Sequence, residues 1–175
     1  MKPIRILLAA DPNLIRRSLR PPLESECDWH ICGETCDGRE AVKMCERLQP
    51  EVVVIDASLP EIDGVEAVRR IKAARPETEA LILIGNENEE LMRQILATGA
   101  RGYLSRSEAA EKIIPAIKAL CEHRQYLASP AARLLFENHL KREVKKERDE
   151  PRSALRSGAL FTRGQPSPSW QVRHR

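Results

Sequence analysis

Aromatic residues are nearly missing: two Trp, two Tyr and two Phe make up 3% of the 175 residues. A core built on stacked rings is excluded, so any core must be aliphatic, made of Ile, Leu, Val and Ala. Long apolar runs are missing too. The longest, residues 6–10 and 52–55, have strand length. A membrane-spanning helix needs roughly 20 such residues, so no membrane association is expected. Met1-Lys2-Pro3 leads straight into the first run, without the apolar stretch and cleavage site of a secretory leader. A cytoplasmic protein is expected. The five cysteines are an odd number and none lies in a C-x-x-C pair, so reduced thiols are expected rather than a disulfide framework or a zinc site. Cys32 and Cys36 are expected on one face of a strand. The four histidines are scattered, and no metal or catalytic role is expected for them. Ala10-Asp11-Pro12-Asn13 contains no glycine-rich phosphate loop, which argues against a nucleotide- or flavin-binding enzyme.

What is present is an alternation of two hydrophobic periods. Strands are predicted at residues 4–9, 29–36, 52–55, 81–84 and 102–104, where short apolar runs carry β-branched members. Between them, helical spacing appears in Leu14, Ile15, Leu19 and Leu23, then over 38–48, 64–74 and 89–98. Pro21-Pro22 should disturb the end of the first helix. Gly99 should close the fourth as a left-handed cap. Ser107 should cap a fifth helix running to about residue 125, with Ile113, Ile117 and Leu120 inward and Pro115 as a possible kink. A run as apolar as 52–55 implies a strand covered on both faces. The expectation is an α/β fold: a doubly wound five-stranded parallel sheet with helices on both faces.

Such sheets bind ligands beyond the carboxyl ends of their strands. Asp11 follows the first strand, Asp56 ends the third and Arg106 follows the fifth, so all three belong to one rim. Two carboxylates converging there suit a hard cation such as Mg²⁺. An aspartate beside that cation can act as nucleophile toward a phosphoryl group. A guanidinium can pair with the phosphoryl oxygens.

The wording around these positions is specific. Val52-Val53-Val54-Ile55-Asp56-Ala57-Ser58-Leu59-Pro60-Glu61-Ile62-Asp63-Gly64 resembles the phosphoacceptor segment of response-regulator receiver domains. Gly99-Ala100-Arg101-Gly102-Tyr103-Leu104 is similar to the segment leading to that family's active-site lysine, and Asp11 matches its acidic Mg²⁺ position. The resemblance covers residues 3 to about 126. It implies a flavodoxin-like sheet of order 2-1-3-4-5. It implies phosphorylation of Asp56 by a histidine kinase. Mg²⁺ would be held by the side chains of Asp11 and Asp56 and the backbone carbonyl of Ser58, phosphate by Arg106, and Tyr103 would be the aromatic switch. Output would pass through the face of the fourth helix, fifth strand and fifth helix, including Leu91, Ile95, Tyr103 and Ile113, which is also the expected homodimer face. The protein is then a signalling module rather than an enzyme.

Three positions depart from the family pattern. The usual acidic pair is Ala10-Asp11, which should weaken Mg²⁺ binding. The usual Ser/Thr after the fourth strand falls at Ile84 or Gly85, and neither has a hydroxyl. The usual lysine is Arg106, whose planar fork differs in reach from an ammonium. These losses favour an alternative, a degenerate receiver acting as a phosphorylation-independent interaction or dimerisation module.

Residues 126–135 resemble the linker between receivers and a LuxR-type helix-turn-helix domain, and a helix capped by Ser129 is expected to about residue 148. From residue 141 to the end there are ten Lys/Arg and four Asp/Glu, a net of +6 against +3 for the chain. Residues 151–175 are rich in Arg, Ser, Pro and Gly and show no apolar period, so a disordered basic tail is expected. The expected organisation is receiver 1–126, linker helix 127–150 and tail 151–175, with no sequence-specific DNA binding. A native tail and a shifted reading frame near Pro151 both fit this composition.

Overall fold

The computed structural model describes residues 3–86, 88–127 and 137. Five strands come in the expected places: β1 Ile4–Ala9, β2 Trp29–Thr35, β3 Val52–Asp56, β4 Glu79–Ile84 and β5 Gly102–Ser105. They alternate with helices α1, spanning residues 12–24, α2 Gly38–Leu48, α3 Gly64–Ala74, α4 Glu89–Ala97 and α5 Ala109–Cys121. A sixth strand was not expected. β6, Tyr126–Leu127, pairs in parallel with β5, so the sheet order is β2-β1-β3-β4-β5-β6. It straddles the expected boundary between receiver and linker. No two-residue segment carries a periodicity signal, which is why the sequence was silent about it.

The sheet separates two aliphatic clusters. On one side Leu7, Val53, Ile55, Ile82, Ile84 and Tyr103 meet α2, α3 and α4. On the other, Ile6, Val52, Val54, Leu81 and Leu83 meet α1 and α5 through Ile15, Leu19, Ile113 and Ile117. Every residue of β3 and β4 is buried, as strands covered on both faces must be.

Several local expectations need correction. The prolines do not simply end α1. They follow a π-helical segment, Ile15–Leu19, flanked by Pro12–Leu14 and Arg20–Glu24. Pro21 and Pro22 bring no N–H to the carbonyls four residues back, and the Arg20 N–H reaches to Ile15 O instead. Ser107 does not cap α5. It sits in a 3₁₀ turn, Arg106–Glu108, and its hydroxyl lies 2.8 Å from that of Ser105. α5 ends at Cys121, short of 125. Pro115 lies on its exposed side, and the helix runs through it to Cys121. Cys32 packs against the core, whereas Cys36 lies exposed past the end of β2, so the two do not share a strand face. The register shift between Ile6 and Leu7 leaves Cys32 as the extra residue of a bulge. Gly99 does close α4, with φ of 78°. The linker helix and the tail lie outside the described residues, except Leu127 in β6 and Glu137, which is helical. Among the described residues no helix is long and apolar enough to cross a membrane.

Candidate functional site

Asp56 is the last residue of β3 and only 4% exposed. A carboxylate so buried needs donors, and two are present. The Ser58 N–H donates to Oδ1 at 2.7 Å, and Arg106 Nη2 donates to the same oxygen at 2.6 Å. Arg106 comes from the turn after β5, fifty residues on. The parallel register carries it there: Asp56 lies beside Leu83, and Ile84 beside Ser105. Gly85 lies beside it: a Cβ built there would stand 3.4 Å from Arg106 Nη1, an ordinary contact. Among the described residues the buried Arg106 Nε has no hydrogen-bond partner, so the guanidinium reaches Asp56 with donor capacity unspent.

Asp11 stands at the same rim. β1 and β3 run in register to Ala9 beside Ile55, so the two acids leave the sheet on adjacent strands. Asp11 also starts α1: its Oδ1 accepts from the N–H groups of Asn13 at 2.8 Å and Leu14 at 3.2 Å, relieving orphan donors of the first turn. Ala10, in the place of a second acid, is fully buried.

The loop after Asp56 is fixed from both ends. A Cβ on Gly64 would lie 2.1 Å from the Asp56 carbonyl oxygen, and one on Gly38 would lie 2.0 Å from Ile62 O. Only glycine admits these close approaches. Each glycine follows an aspartate cap: Asp37 accepts from the Glu40 N–H and Asp63 from the Glu66 N–H. The Gly38 clamp was not anticipated. The repeated Asp-Gly at the head of a helix was the signal available. Ile84 ends β4 fully buried in the cluster that holds Tyr103, itself fully buried. Gly85 is exposed just beyond. Neither supplies a hydroxyl.

Residues 6–118 match the response regulator receiver domain family. This chain belongs to that family. The receiver is 33% identical over 129 residues to the response regulator UvrY of Escherichia coli K12, covering 74% of this chain and 59% of that one. It is 30% identical over 124 residues to the transcriptional regulatory protein DegU of Brevibacillus brevis, covering 71% and 52%. The chain thus spans little more than half the length of these relatives. The crystal structure of a LuxR-family two-component response regulator from Aurantimonas superposes with a TM-score of 0.69 at 25% identity, covering 79% of this chain and 99% of that one. The fold is therefore the flavodoxin-like receiver fold, with one strand added at its edge.

Receiver domains bind Mg²⁺ at the phosphorylation site, and the residues of this receiver can be tested for fit. The available donors are the carboxylates of Asp11 and Asp56 and the backbone carbonyl of Ser58. This is an all-oxygen set of the kind Mg²⁺ takes while keeping several waters. Among the described residues no group of three or more His, Cys, Asp or Glu could hold a metal, and Arg106 already neutralises Asp56. The set fits in chemistry but is poor in charge. Burial pushes the Cys45 thiol up to about 12 and also raises Cys32 and Cys121, which keeps these three thiols neutral.

Proposed function

We propose that this receiver accepts a phosphoryl group on Asp56 from a histidine kinase and relays its state through the face of α4, β5 and α5. The observation that supports this most is the buried Asp56 carboxylate held by a guanidinium whose Nε has no partner among the described residues. The Ser58 N–H and Arg106 hold Oδ1 in place. When the acyl phosphate forms, a carboxylate oxygen bonds to phosphorus and the donor histidine nitrogen leaves. Arg106 then follows the negative charge outward, exchanging a carboxylate partner for phosphoryl oxygens. Asp11, Asp56 and the Ser58 carbonyl would hold Mg²⁺, which when bound neutralises charge on those oxygens. The shortage of acids at Ala10 makes that binding weak. Tyr103 is the proposed switch, and the same face is the proposed homodimer surface.

A second reading has its own support. Ile84 is apolar and packed where a hydroxyl would draw the loop toward phosphate, and a ligand shifts an equilibrium only by its differential affinity for the two states. On that reading the receiver is a constitutive interaction module. Incubation with acetyl phosphate and Mg²⁺ followed by intact mass separates them. The first expects one added phosphate, lost in Asp56→Ala. No adduct under forcing conditions leaves the second.

A further inference from the structure

β6 is the strand that the family resemblance did not anticipate. A β5 edge left bare would present unpaired N–H and C=O groups. This chain covers that edge with its own next segment. Gly102 lies beside Tyr126 and Tyr103 beside Leu127, and the Tyr126 N–H donates to Arg101 O at 2.9 Å. Leu127 joins the cluster that contains Tyr103 and Ile95, while Tyr126 packs against the cluster on the α5 side.

The turn that delivers β6 is built for the purpose. After α5 the Arg124 N–H bonds to Ala119 O and the His123 N–H to Leu120 O, both at 2.8 Å. These are the two bonds of a Schellman motif, with His123 at the left-handed position, φ 55°. A residue other than glycine is strained there. His123 is held by Glu79: Nδ1 lies 3.0 Å from Oε1, and Arg101 Nη1 reaches the same oxygen at 3.0 Å and the His123 carbonyl at 3.3 Å.

The turn is thus firmly anchored, but the strand is two residues long. A segment that short has little stability of its own. Its retention depends on what Leu127 packs against, and its register partner is the buried Tyr103. We infer that β6 is an output strap: Tyr103 holds Leu127 on the sheet edge, so repacking of Tyr103 sets whether β6 stays paired with β5. The dependence on Tyr103 stands apart from phosphorylation. Only the trigger rests on the phosphoacceptor reading.

Amide hydrogen exchange on the full chain tests this. The Tyr126 N–H, bonded to Arg101 O, should be protected about 100-fold over its free-chain rate, a local opening well below global stability. Tyr103→Leu should cut that protection at least about 10-fold while residues 53–55 keep theirs. A free-chain rate at Tyr126 in the wild type, or unchanged protection there in Tyr103→Leu, overturns the strap. Should Tyr103→Leu fail to fold, coupling is reciprocal, and Leu127→Ala must speed exchange at residues 102–104. No change there overturns it equally. With acetyl phosphate, a mass adduct that leaves Tyr126 protection unchanged overturns phosphorylation as the trigger. A missing adduct counts against the phosphoacceptor reading, and the variants alone then decide the strap.

Discussion

The two edges of the sheet each bury a carboxylate, and they treat it differently. At the amino edge Glu79 begins β4 and meets three nitrogens: Lys72 Nζ at 3.4 Å, Arg101 Nη1 at 3.0 Å and His123 Nδ1 at 3.0 Å. At the carboxyl edge Asp56 ends β3 and meets one cation, Arg106, and one backbone N–H. The first acid is saturated and ties β4 to β5 and the end of α5. The second keeps a partner that still has a donor to spend. Burial of a carboxylate alone does not distinguish structure from chemistry. Here the two acids differ in the number of side chains each one gathers.

Exchanging the treatment of the two acids should break the comparison most clearly. Glu79→Gln should leave the acetyl phosphate adduct intact, since Glu79 is on the opposite edge from Asp56, whereas Asp56→Ala removes it. Stability should respond the other way. Glu79→Ala unties three side chains at once and should cost about 2 kcal/mol in urea denaturation, chiefly through Lys72, the least exposed of the three at 14%. Asp56→Ala should cost about 1 kcal/mol or less, because the side chain of Arg106 is 36% exposed and can turn to water. Equal losses would mean that both edges are structural.

A smaller effect sharpens the description of the carboxyl edge. Gly64→Ala drives a Cβ into the Asp56 carbonyl and should cost about 2 kcal/mol by displacing the helix start. Gly99→Ala meets nothing within 4 Å and should cost about 1 kcal/mol, from its positive φ alone. Thermal or urea unfolding of the two variants gives the ordering.

The smallest effect concerns the core between the edges. Burial holds the Cys45 thiol neutral up to about 12, against 9.0 for an ordinary thiol. Its folded value is raised, so its contribution to stability is complete below about pH 9 and is lost as pH rises toward 12. At pH 9 a thiol reagent should label the exposed Cys27 and Cys36 and spare Cys45 until the protein unfolds.

Much of the fold was legible in the sequence. Hydrophobic period is a local property, so the helices at 38–48 and 64–74 came within a residue of their observed bounds. Asp11, Asp56 and Arg106 were placed on one rim because each follows a strand and parallel strands end together. Local patterns could not reveal β6, whose two residues form a strand only because β5 offers an edge. Nor could they show that Ser107 would turn toward Ser105 rather than cap α5. The resemblance of 126–135 to a linker even pointed away from the sheet.

The chain's pattern by itself determined which residues are core, which rim carries the acids and where the loops turn, since these follow from spacing along a few residues. Tertiary structure alone decided that Arg106 spends its charge on Asp56, that Glu79 gathers Lys72, Arg101 and His123, and that Leu127 returns to lie beside Tyr103. Those pairings join residues 7 to 50 positions apart. They depend on strand register and helix packing, which set distances that no local pattern encodes.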